Sequence, residues 1–70
     1  MTLAEYVELR KAEGLSLTRA VMELVSICAA SERAAWRWVK GQPMPPSAAR
    51  LLRVWAECTA QQRARWFETR

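Results

Sequence analysis

Three cations recur along one short segment. Arg33, Arg37 and Lys40 stand at i, i+4 and i+7, a spacing that puts all three on one face of a helix. Trp36 lies beside that face. A guanidinium presents a planar fork of donors that matches guanine O6 and N7, and each of the three cations can instead neutralise a phosphate. Glu32, just ahead of them, can accept from cytosine N4 or simply favour the positive end of a helix; the two readings weigh equally. The plain alternative for the whole set is a solvated helix face. The tryptophan alongside and the scarcity of acids nearby weigh against it.

Other chemistry finds little to work with. The chain has no His, which removes the commonest metal ligand and the usual base near neutral pH. Two cysteines, Cys28 and Cys58, cannot complete a four-ligand zinc site. Cys28 has no imidazole to activate it, and the glutamates are spread over helix surfaces. With only two glycines there is no loop to cradle a phosphate. No catalytic, metal or cofactor site is expected, and the chain does not read as an enzyme. Both cysteines are expected on apolar faces, as small buried hydrophobes.

Seventy residues form one domain, residues 1–70, with a thin core. A hydrophobic content of 51% excludes a disordered chain. The net charge of +4 is unevenly spread. Residues 1–32 carry three bases against five acids, and residues 33–70 carry eight bases against two acids. All four tryptophans also lie in the second part. A GC-rich genome would explain nine Arg against two Lys, but it explains the clustering less well. A basic, aromatic-rich half suits nucleic acid or an acidic surface. No secretory leader is visible, and no apolar run approaches the ~20 residues that span a bilayer. The expectation is a cytoplasmic protein with reduced thiols and no membrane contact.

The elements that must hold these residues read as helix throughout. Thr2 and Glu5 form a capping box for a first helix, which runs to about Glu13 and stops at Gly14. Leu3, Tyr6, Val7 and Leu9 supply its apolar side. Ser16 or Thr18 caps a second helix. There Leu17, Ala20, Val21, Leu24, Val25 and Cys28 form a stripe that must face a core, and Met22 and Ile27, lying off it, make the helix broadly apolar and are expected to leave it well buried. After Ala29-Ala30, Ser31 caps a third helix, Glu32 to about Lys40, ended by Gly41. Its Ala35 and Trp38 face inward. A stiff Gln42 to Pro46 connector leads to a fourth helix, Ala48 to Glu57, started by Ser47 or Pro46, with Ala48, Leu51, Leu52, Trp55 and Ala56 inward, and Arg50 and Arg53 outward. Thr59 and Gln62 form a second capping box for a fifth helix, whose apolar residues are Ala60, Ala64, Trp66 and Phe67.

An apolar-striped helix, a tight turn of small residues, and a second helix with a basic outer face is the layout of a helix-turn-helix. It covers about residues 17–40. Here the chain resembles the Cro and lambda-repressor-like, or XRE-type, helix-turn-helix family. The resemblance runs over residues 3 to about 57. It rests on the end of the first helix (Leu9 to Ser16), on Ser31 to Gly41 with its Ser-to-Trp-to-Gly spacing, and on Pro45 to Leu52. It implies an all-α, single compact five-helix domain. It implies that Glu32, Arg33 and Arg37 meet base edges, while Ser31, Trp36, Lys40 and Gln42 approach phosphates. Thr18 and Arg19 stand nearest to where the family places a phosphate-touching Gln. Two departures stand out. The span from Leu15 to Trp38 is longer than the family's, which one extra turn in the second helix would absorb, and Ala29 occupies a position where Gly is common.

The resemblance also implies a homodimer. Neighbouring residues on a helix cannot both face one core, so part of the aromatic surface should be exposed. Val54, Trp66 and Phe67 are the expected dimer contacts. The function expected is that of a small phage- or prophage-type Cro-like repressor. It would bind a palindromic operator in double-stranded DNA and act by occupancy, since no effector domain is left over. The alternative is a protein-binding module, an inhibitor or antitoxin-like partner that sequesters a host protein through exposed aromatics. A third option is RNA binding through Arg and stacked Trp.

Overall fold

The computed structural model of the chain describes residues 1–68, with side chains through Trp66. Five helices follow in order: α1 (Leu3–Ala12), α2 (Leu17–Cys28), α3 (Glu32–Val39), α4 (Pro46–Glu57) and α5 (Ala60–Glu68). There is no strand among the described residues. The expected all-α, five-helix domain is the fold.

Local chemistry explains the helix starts. The Thr2 hydroxyl accepts from Glu5 N–H, and Thr2 N–H donates to the Glu5 carboxylate, closing the expected capping box. Ser16, not Thr18, caps α2 by accepting from Arg19 N–H at 3.2 Å. Ser31 caps α3 by accepting from Ala34 N–H at 3.1 Å. Pro46 opens α4 at a position where a missing N–H costs nothing. Thr59 and Gln62 reciprocate at the start of α5.

Three helices end in one way. Leu15 N–H reaches back to Arg10 C=O, Ala30 N–H to Val25 C=O, and Gln42 N–H to Arg37 C=O. Each such bond needs a residue with positive φ just before the donor. Gly14 (φ 90°) and Gly41 (φ 119°) meet this need at no steric cost, whereas Ala29 adopts φ 51° as an alanine.

α2 is the hub, packing on α1, α3, α4 and α5. Its Ala20, Val21, Leu24, Ile27 and Cys28 are buried with Tyr6, Ala35, Ala48, Leu52 and Trp55. The broad burial expected of α2 holds at Ile27 but not at Leu17 or Met22, which are exposed. Neighbours surround the middle and end of α2 and leave its first turn open. A wider arc than one stripe is therefore covered. Cys28 is buried as expected, its Sγ donating to Ala48 C=O at 3.5 Å. Cys58 is not in the core. It sits half-buried where α4 ends, its Sγ donating to Val54 C=O, and the two cysteines are not joined in a disulfide. On α5, Ala60 and Ala64 are exposed, and Trp66 packs against the core.

The tightest joint is electrostatic as well as apolar. Arg10 is buried, its guanidinium 5.8 Å from the Tyr6 ring centre and 5.3 Å from that of Trp55. It donates to Glu23 of α2 and pairs with Glu13 at 3.2 Å. Tyr6 donates from its hydroxyl to Ala20 C=O at 2.7 Å, and burial pushes that phenol far above its ordinary value. From the other end of the chain, Arg63 lies 4.3 Å from the Trp55 ring centre. It donates to Trp55 C=O at 3.1 Å and Ala56 C=O at 2.7 Å. It thus caps the carbonyl end of α4, where a cation is favoured.

Candidate nucleic-acid interface

α3 is a short amphipathic bar fixed at one side. Ala35 is fully buried, and Trp38 and Val39 pack against the core. The side away from Ala35 faces outward, and there Glu32, Arg33, Trp36, Arg37 and Lys40 together line one shallow, open concavity. Arg33, Arg37, Lys40 and Glu32 are exposed, while Trp36 is half-buried with part of its ring on the core. The three cations are therefore gathered as their spacing predicts.

The three cations are also unpaired among the described residues, a property they share with Arg50 and Arg53 of α4. Arg10 is committed to Glu23 and Glu13, and Arg63 to two backbone carbonyls. Arg33, Arg37 and Lys40 have no ion-pair partner among the described residues. Three uncompensated cations on a rigid helix, beside a tryptophan, make a surface suited to phosphate and to the acceptor edges of bases. Glu32 lies at the positive end of α3, and Arg37 and Lys40 lie toward its negative end, so the helix dipole favours all three where they stand.

The remaining expected contacts do not join this concavity. Ser31 spends its hydroxyl on the α3 cap. Thr18 and Arg19 are exposed on the first turn of α2, and Arg19 Nε pairs with Glu23 at 3.1 Å. Gln42 lines a separate apolar recess with Trp38, Met44, Leu3 and Leu52.

The expected dimer surface also divides. Val54 is 45% exposed on α4. Trp66, expected to be exposed, is half-buried and packed on the core, because α5 lies back against α2. The side chain of Phe67 lies outside the described residues. Trp38 packs on the core as expected, and Trp36, expected beside the basic face, reaches the core as well. They are sequence near-neighbours on roughly opposite flanks of α3, yet both touch the core, since α3 sinks far enough for large rings to reach it from either flank.

Sequence reasoning missed the two guanidiniums that flank Trp55. Nothing local marks Arg10 or Arg63, since their partners are supplied by other helices. No group of three or more metal-ligating side chains occurs among the described residues. No helix there is long and apolar enough to cross a membrane. Comparison with protein-family models, curated proteins and solved structures finds no match to the chain.

Proposed function

We propose that the chain is a sequence-specific DNA-binding protein that reads the major groove with α3. The observation that carries this reading is the free basic face of α3, three unpaired cations around Trp36 on a helix anchored through Ala35. B-DNA's major groove admits one helix. In this reading Arg33 and Arg37 meet base edges, Glu32 accepts from a cytosine amine, and Lys40 holds a phosphate. The chain acts as a small Cro-like repressor of transcription, a homodimer that occupies a palindromic operator and excludes polymerase. The other reading is a module that grips a host protein through exposed aromatics; two of the rings that suggest it, Trp36 and Trp66, are half-buried with part of each on the core, which leaves it less apolar surface.

The test is selection of duplexes from a random-sequence pool, followed by binding titrations in increasing salt. A common, dyad-symmetric sequence should emerge. Lys40→Ala should then weaken selected and unrelated duplexes alike, and lower the log–log salt slope by about 0.9 per protomer. A pool that shows no enrichment and no salt-dependent binding would overturn the proposal.

A further inference from the structure

α4 turns a second charged face to solvent. Arg50, Arg53, Val54 and Glu57 fall within an arc of about 100° on that helix, and all four are exposed. Val54 is more exposed than any other large hydrophobic residue described. Arg50, Arg53 and Glu57 have no ion-pair partner among the described residues. Arg53 and Glu57 are four apart, but with the base first, the weaker order for a pair within one helix.

We propose that this face pairs antiparallel with the same face of a second copy of the chain. An axis placed between Arg53 and Val54 leaves Arg50 and Glu57 equally far from it, each roughly 5 Å along the helix at a rise of ~1.5 Å per residue. Antiparallel packing about that axis sets Arg50 of each copy against Glu57 of the other. It closes two cross-copy ion pairs, and it brings the two Val54 side chains together on one flank of the axis and the two Arg53 side chains together on the other. A two-fold interface requires a patch that complements itself, and this spacing supplies one. Arg53 lies on the flank of the arc, close enough to share the same carboxylate. An anionic polymer fits the face less well, because Glu57 lies in its middle. The inference rests on the dimer in the proposed function and not on its DNA, so it deepens that reading through a surface on α4 rather than one on α5.

The test uses the full chain without DNA, in sedimentation equilibrium, with circular dichroism to show that each variant is folded. The wild type should dimerise reversibly. Arg50→Glu and Glu57→Arg should each weaken the dimer by about tenfold or more, because each places like charges in opposition. An equimolar mixture of the two variants should recover wild-type association, since the introduced carboxylate then faces the introduced guanidinium. A monomeric wild type, a dimer indifferent to both reversals, or a mixture that stays dissociated would each overturn the proposal. Loss of duplex binding by a chain that still dimerises would count against the DNA reading alone.

Discussion

Exchanging the helix-ending residues Ala29 and Gly41 should move stability in opposite directions. Both precede a donor that reaches back to a carbonyl near the helix end, and both have positive φ, 51° and 119°. An L-residue in the left-handed region loses roughly 1–2 kcal/mol to contact between its Cβ and the following carbonyl. Glycine avoids that loss but gives back about 0.4–1 kcal/mol through the extra freedom of the unfolded chain. Ala29→Gly should therefore stabilise by up to about 1.5 kcal/mol. Gly41→Ala should destabilise by about 1 kcal/mol or more, since φ 119° lies well beyond the left-handed well near +57°. The added Cβ at Gly41 meets nothing within 4 Å, so the cost is conformational and not a clash. For a domain of this size about 1 kcal/mol moves Tm by roughly 4–8 °C, well within reach of thermal melts followed by circular dichroism. A fall in Tm for Ala29→Gly, like that of glycine placed inside a helix, would refute the reasoning and the turn conformation between α2 and α3 with it.

Arg63→Ala should cost about 2 kcal/mol in denaturant unfolding, because two charge-assisted bonds to the end of α4 and a contact with Trp55 are lost together. A change inside 0.5 kcal/mol, on the order of an ordinary surface substitution, would show that α5 does not brace α4. Glu23→Gln should cost about 2–3 kcal/mol, since it leaves the buried Arg10 guanidinium with Glu13 alone; a neutral result in the same assay would contradict the account of that joint. Hydrogen bonds with Thr2 hold the Glu5 carboxyl below its ordinary value. A depressed folded value means stability present above the unfolded value and lost as pH falls through the folded one. The Tm advantage of wild type over Glu5→Gln should thus be greatest near neutral pH and vanish in acid, and an advantage constant with pH would count against it.

The boundaries of the helices were legible because they are set within four residues. Thr2 with Glu5, Ser31 with Ala34 and Thr59 with Gln62 each find a partner three residues away. The basic face of α3 was legible for a similar reason, since helical periodicity alone gathers Arg33, Arg37 and Lys40. What escaped is tertiary. Arg10 stands in the last turn of α1, but its place is set by Glu23 from α2 and by rings from α1 and α4. The broadly apolar α2 predicts burial all along, which holds at Ile27 but not at Leu17 or Met22. Trp66 was assigned to a dimer surface by counting aromatics against one core, and the core reaches it because α5 folds back on α2.

The central claim is that the free face of α3 reads base edges. Its most direct measurement is the affinity of Arg37→Ala, against wild type, for a duplex selected from a random pool and for a scrambled duplex of equal length and salt. A bidentate contact to guanine is worth about 1–3 kcal/mol of discrimination. That much loss per half-site is expected on the selected duplex, and a much smaller loss on the scrambled one. An equal loss on both would make Arg37 a phosphate contact and contradict base reading, and no loss on either would take α3 out of the interface.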